Sequence, residues 1–277
     1  MKNTNEISKS LNPIQEIDTK NNYQKFILID KEGKTKTRII LFISDIELRE
    51  QVICFHFLSR YVQIFLEEAV GLKFISRDNP WDFELELSNS EKLIIEITSI
   101  ADGTDLFRTY KYQERLTDNS RYERIKFHEL IKLNNLFPDP KIDELIISFK
   151  EQKTDKNEFV INPFFNKKFI FQSSINENLE SFDVLIKEVI NKKVNKNHLQ
   201  KEDVILIIDN RTVTYELEDL LFHFEKLSNY FEGLPFKEVW LYTGYYSDLN
   251  GNNAEYSLAP LKIDDVKLEK LRTKLTN

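Results

Sequence analysis

The spacing of hydrophobic and polar positions changes several times along the chain, and each change predicts an element. Tyr23 to Asp30 and Lys36 to Phe42 are β-rich runs on either side of Lys31-Glu32-Gly33-Lys34, which predicts a hairpin. After Ser44 the apolar positions fall at helical spacing: Val52, Phe55, Leu58, Tyr61, Val62, Phe65, Leu66 and Ala69. Ser44, with Glu47 three residues on, has the form of a capping box, and Gly71 is placed to end this helix near Val70. Leu72 to Ser76 predicts a short strand and Arg77-Asp78-Asn79-Pro80 a turn. Trp81 to Leu87 and Leu93 to Thr98 predict a strand pair around Ser88-Asn89-Ser90.

Residues 101–135 are polar and aromatic and predict helix from Phe107 onward, while Ile142 to Phe149 and Glu158 to Phe171 have β-like composition. A regular α/β rhythm follows. Leu179 to about Lys196 is an amphipathic helix, Val204 to Ile208 a strand apolar enough to be buried on both faces, and Tyr215 to Phe231 a helix. Val239 to Tyr242 begins a second buried strand, and Asp264 to Leu275 is a polar helix. A strand-helix-strand crossover of this kind favours parallel, right-handed connection. The expectation is a polar leader over 1–22 and a single α/β domain over 23–277. Its core spans 44–100 and 176–262, with an N-terminal hairpin and an insertion over 101–175.

Composition narrows the class. Only 6 glycines and 7 prolines in 277 residues argue for long regular elements and against a loop-dominated chain. No apolar run approaches the roughly 20 residues of a membrane helix, and Met1 to Ser10 carries no apolar stretch of a secretory signal, so no membrane association is expected. The one cysteine, Cys54, excludes an internal disulfide, and a soluble cytoplasmic protein is the consistent expectation. A net charge of −7 lowers the prior for a small basic DNA-binding module, though not for an enzyme whose site needs carboxylates. Phosphate-loop, dinucleotide and nucleophile-elbow motifs are absent, and His56, His128, His198 and His223 show no metal-ligand spacing. Asp209-Asn210-Arg211 follows a buried strand, where α/β sheets often face a ligand crevice or simply turn.

The hairpin over 81–98 carries the chemistry. Because side chains alternate along a strand, Phe83, Leu85 and Leu87 share one face, and Asp82, Glu84 and Glu86 the other. On the second strand Leu93, Ile95 and Ile97 form the apolar face, opposite Lys92, Ile94, Glu96 and Thr98. A turn centred on Asn89 sets Glu86 against Lys92, which is favourable, and Asp82 against Glu96, which is not. Two carboxylates about 5 Å apart require a proton or a cation between them, and Mg²⁺, a hard ion bound by few carboxylates and several waters, is the natural candidate.

A helix, a short strand, then "NPWDFEL" and "LIIEITS" resemble the metal-binding core of the PD-(D/E)XK nuclease superfamily. Pro80 and Asp82 match the first half-motif and Glu96 the second acid. The resemblance covers roughly residues 58–98, and the later α/β rhythm is compatible with the rest of such a core. It implies a restriction-endonuclease-like core with a central mixed sheet flanked by helices, and a Mg²⁺-dependent endonuclease acting on DNA in a restriction or phage-defence setting. Asp82 and Glu96 would then be catalytic metal ligands. Thr98 departs from the pattern, since the family places there a lysine that helps to activate the attacking water. Some members take a substitute from a neighbouring helix. Here that points to Lys111 or Gln113 on the helix after the hairpin, or to Lys187, Lys192 or Lys193 on the next, with Lys111 and Lys192 the leading candidates. An acid from the first helix serves in many members, which points to Glu67 or Glu68, with Glu68 the candidate ligand. The alternatives are an inactive relative that binds nucleic acid or a protein partner, its own second copy included, and an unrelated α/β interaction protein.

Overall fold

The computed structural model of the chain describes residues 23–29, 35–41, 43–66, 71–78, 80–102, 104–169, 181–198, 200–212, 215, 217–244 and 256–276. The expected leader, the hairpin turn at 31–34, and Glu67 and Glu68 lie outside these residues. The chain divides into two compact units, residues 1–103 with 174–277, and residues 104–173.

The first unit is built on a six-stranded mixed sheet. Its strands are β3 (Leu72–Arg77), β4 (Phe83–Leu87), β5 (Lys92–Ile100), β8 (Val204–Asn210), β9 (Glu238–Thr243) and β10 (Ser257–Lys262), in the spatial order β10-β9-β8-β5-β4-β3. β3, β4 and β5 run antiparallel, β5, β8 and β9 parallel, and β10 antiparallel to β9. A separate antiparallel pair, β1 (Tyr23–Ile29) and β2 (Thr35–Leu41), forms the expected hairpin. The fold is α/β with a mixed central sheet flanked by helices, as the pattern predicts.

Helix α1 (Ile46–Phe65) covers one face of the sheet. Val52, Ile53, Phe57, Leu58 and Tyr61 pack on Phe83, Leu85, Leu93, Ile95, Ile205 and Trp240, and the C-terminal helix α7 (Asp265–Thr276) adds Leu271. Helices α5 (Phe182–Val194) and α6 (Leu217–Glu232) cover the other face, where Phe182, Ile186, Ile190, Leu227 and Phe231 meet Val204, Leu206, Ile208 and Leu241. Every residue of β8 and β9 is buried, which explains their unbroken apolar runs. Each such aliphatic side chain contributes about 1.5–3 kcal/mol, so the central parallel strands anchor both layers. The connection from β8 through α6 to β9 gives the parallel pair the crossover predicts.

Some local expectations are corrected. Helix α1 is capped by Asp45, whose side chain accepts from Leu48 N–H at 2.9 Å, one residue later than the Ser44 box predicts. Its last helical residue is Phe65. In the second unit, 142–149 is not a strand but part of helix α4 (Pro140–Glu151), with Asp139 as N-cap, Pro140 at the first turn, and Ile142 and Ile146 buried one helical turn apart. Among the described residues of the β-like 158–171, only β7 (Phe159–Ile161) is strand, paired with β6 (Arg124–Lys126). Helices α2 (Thr104–Asn119) and α3 (Phe127–Leu136) complete that unit around Leu116, Ile125, Leu130, Leu133 and Val160. Strand β10 has no counterpart in the prediction. It contains Pro260, which lacks a ladder N–H and is tolerated because β10 is an edge strand that bulges there. Among the described residues no helix is long and apolar enough to cross a membrane.

Candidate metal and phosphoryl-transfer site

The register of the β4–β5 hairpin pairs Phe83 with Ile95 and Glu86 with Lys92, as a turn centred on Asn89 requires. The same register carries Asp82, the residue before β4, to the level of Glu96. Glu86 itself turns to Lys73, its partner on β3, at 3.7 Å, and Lys92 reaches diagonally to Glu84 at 3.1 Å. The expected Glu86–Lys92 ion pair is therefore not formed, because each side chain has another partner across the sheet.

Asp82 and Glu96 differ in their surroundings. Asp82 Oδ2 accepts the backbone N–H of Ile97 at 2.6 Å, which ties it to the strand carrying Glu96, while Oδ1 takes no hydrogen bond among the described residues. Burial, and after it the negative charge of Glu96, pushes the Asp82 carboxyl above its ordinary pKa, against the pull of Ile97 N–H, Lys193 and Lys196. Glu96 is 2% exposed in an otherwise apolar strand. It survives there because two ammonium groups reach it. Lys193 donates to Oε1 and also to the carbonyl of Ile97 at 3.0 Å, and Lys196 approaches the same Oε1 at 3.2 Å. Oε2 takes no hydrogen bond among the described residues. Burial works against the charge on Lys196, but Glu96 and Asp82 hold its pKa above the usual value.

A third acid comes from the start of α1. Glu50, Asp78 and Asp82 offer oxygens within 4.8 Å of one another. Burial first, and then Asp82, pushes the Glu50 pKa up to about 7, even though Arg77 pulls the other way. Arg77 lies inside this cluster, with Nη2 3.3 Å from Glu50 and Nε 3.4 Å from Asp78, and it also donates to the carbonyl of Glu47 at 3.0 Å. Asp78 adopts a left-handed conformation, φ 57°, where the chain turns from β3 toward β4. Oxygens on opposite sides of Mg²⁺ lie about 4.2 Å apart, from the Mg–O distance near 2.1 Å, so this set fits a hard divalent ion after a small contraction. Glu96, expected as a ligand beside Asp82, is not one of the three and is taken up by Lys193 and Lys196, while Arg77 neutralises part of the charge of the cluster.

The predicted lysines are reassigned. Lys192 pairs with Glu188 at 2.8 Å on the solvent side of α5 and does not reach Glu96. The reason is helical geometry, since residue 192 lies over 188, whereas 193 continues the stripe of Ile186 and Ile190 that faces the sheet, and Lys196 reaches Glu96 from the turn after the helix. Lys187 lies over the ring of Tyr230 at 5.4 Å. Lys111 and Gln113 lie on α2 in the second unit. Thr98 is half-buried on β5. The Glu50 carboxylate was legible in one respect: it lies three and four residues before Ile53 and Cys54, both fully buried, so it is on the face that packs on the sheet.

Asp209 is a different kind of acid. It is wholly buried, and Arg49 grips it through two hydrogen bonds of 2.6 and 2.8 Å, with Ser99 adding a third at 3.2 Å. Arg49 also donates to the carbonyl of Leu41 at 2.7 Å. Asn210 accepts from the backbone and hydroxyl of Thr212, which is the turn reading of this segment. His56 is structural too. It stacks on Tyr256 at 3.9 Å, and burial lowers its pKa to about 4.

Comparison with models of known protein families, with curated proteins and with solved structures finds no significant match to this chain.

Proposed function

We propose that this chain is a divalent-metal-dependent phosphodiesterase acting on DNA, with a PD-(D/E)XK-like site whose lysine comes from helix α5. The observation that carries the reading is Lys193, whose ammonium group meets the Glu96 carboxylate beside Asp82. The substitution at Thr98 removes the usual source of positive charge, and Lys193 supplies it from across the sheet face. Glu50, Asp78 and Asp82 are the groups that would hold Mg²⁺, which when bound would lower the pKa of the attacking water and neutralise charge on the phosphate, with Glu96 beside them as the anchor of the lysines. Asp82, fixed by the Ile97 N–H, sets the position of that centre relative to β5. Lys193, held by the Ile97 carbonyl as well as by Glu96, keeps one positive charge at a fixed place, where it stabilises negative charge developing at phosphorus. Lys196, with a side chain 46% exposed, is free enough to shift from Glu96 to a phosphate oxygen. The restriction or phage-defence setting rests on the resemblance alone.

The experiment is cleavage of supercoiled and linear DNA in Mg²⁺ or Mn²⁺ by the wild type and by Asp82→Ala and Glu96→Ala. Cleavage by the wild type and its loss in both variants is the expected result. Cleavage retained in both overturns the site.

One observation favours a second reading, in which the protein binds nucleic acid without cutting it. Arg77 in the acidic cluster and two lysines on Glu96 compensate the acids without a metal. That reading predicts DNA binding that falls steeply with salt and no cleavage in any divalent metal.

A further inference from the structure

A polar groove of about 750 Å³ opens beside the proposed site, between the β4–β5 hairpin and the loop that follows α5. Its lining is continuous with the site along three segments of chain. Pro80 and Trp81 immediately precede Asp82, Ile94 is two residues before Glu96 on the same strand face, and Asn197 and His198 immediately follow Lys196. Two residues along a strand span about 6.6 Å. A phosphate seated at Asp82 and Glu96 therefore has the groove as its nearest neighbour.

We infer that this groove takes the base of the nucleotide next to the scissile phosphate and reads it through the amides of Asn197 and Gln200. The inference rests on the proposed function. The volume lies within the usual range for small-molecule sites, about 300–1,000 Å³, and holds one nucleotide with room for water. Pro80, Ile94 and Trp81 give it an apolar wall for a flat ring, with the His198 ring set edge-on to Trp81 at 5.0 Å. Its two lysines are already answered, Lys92 by Glu84 at 3.1 Å and Lys237 by Glu91 at 3.8 Å, and Asp203 adds a further negative charge to the lining. A second phosphate has little to bind there, whereas an uncharged base does. The side-chain amides of Asn197 and Gln200 make no hydrogen bond among the described residues, and both are exposed at the rim. Such amides each offer a donor and an acceptor, the pairing that base edges require. Gln200 takes a left-handed backbone conformation, φ 64°, just before the 3₁₀ turn that leads into β8.

The test uses the full chain and a pool of DNA oligonucleotides randomised in sequence, both single-stranded and annealed, with Mg²⁺ or Mn²⁺. Sequencing of the cut ends is expected to show a base preference at the nucleotide beside the cut. The double variant Asn197→Ala with Gln200→Ala should flatten that preference at least fivefold, and Asn197→Asp, which keeps the shape but loses the donor, should move it to another base. A preference that is absent in the wild type, or unchanged in both variants, overturns the inference and leaves the proposed function standing. If the wild type cuts nothing, the proposed function fails, and the groove is judged by sequencing the oligonucleotides each protein retains. Base enrichment present in the wild type and lost in the double variant then supports the inference, and equal or absent enrichment overturns it.

Discussion

Asp209 on β8 and Glu96 on β5 are buried acids on adjacent parallel strands, yet they are answered in different ways. Asp209 faces one guanidinium that grips both its oxygens in a flat two-point contact, with a hydroxyl filling a further position. Glu96 faces two ammonium groups crowded onto one oxygen, and a second carboxylate, Asp82, is close enough to raise its own pKa in response. An arginine pair of matched geometry closes a site, because every donor and acceptor is used. Lysines on flexible stems leave a site open, because they can move and because one oxygen is left over. The difference separates an acid that ties β8 to α1 from acids that keep unbonded oxygens among the described residues.

The largest effect that sharpens this contrast is on stability. Arg49→Met leaves Asp209 charged, buried and without its partner, and should cost about 3–5 kcal/mol in a urea unfolding titration, whereas Lys196→Met should cost far less. Equal costs would erase the distinction between the closed and the open site. Next is cleavage. Lys193→Ala should slow DNA cleavage about 10²-fold or more, the lower end for a group that assists proton transfer or charge development at a reacting centre, while Lys192→Ala leaves the rate within twofold. Equal rates for wild type and Lys193→Ala would remove the helix lysine from the mechanism.

The third effect concerns protons. With Glu50 raised to about 7, the folded protein holds a proton that the unfolded chain, with its ordinary carboxyl pKa, has already lost. This contribution to metal-free stability is full below the unfolded pKa near 4.5 and is lost as pH rises through about 7. A divalent ion must displace that proton, so Mn²⁺ affinity should rise up to about tenfold per pH unit between pH 6 and 7 and level off above. Isothermal titration at several pH values reads this, and Glu50→Gln should flatten the profile. The smallest effect is the removal of like charge. Asp82→Asn should raise metal-free stability by less than any of the effects above, because the neutral amide escapes the burial penalty on the charged carboxyl and the repulsion with Glu96 while keeping an oxygen for the Ile97 N–H. Asp209→Asn should do the reverse, and a melting-temperature comparison of the two variants separates the acids once more.

Much of the fold was legible from spacing alone. Period 2 along 83–87 and 92–98 gave the hairpin and its two faces, and unbroken apolar runs marked the central strands β8 and β9. Helix α4 was misread because an Ile-rich run satisfies strand composition as well as one helical face, and the Asp139-Pro140 start that distinguishes them lies outside the run. The site was legible where it is local. Asp82 and Glu96 are brought together by a turn of a few residues, whose register follows from the alternation of apolar side chains. The choice of Lys193 among the candidate lysines and the approach of Glu50 to Asp82 were not, since these residues arrive from helices 97 and 46 residues away in sequence from Glu96, and a helix's rotation about its axis selects Lys193 over Lys192.

The amino-acid pattern by itself determined an α/β chain, the order of its central strands in sequence, and a pair of acids on one face of one hairpin, because these depend on periodicity and on contacts a few residues apart. Only the tertiary structure decided which acid is sealed by arginine and which by lysines, which lysine of the helix reaches Glu96, and that Glu50 joins Asp78 and Asp82. Those outcomes depend on how helices α1 and α5 are rotated and pressed against the two faces of the sheet, and the burial that results is what sets the charge on each group.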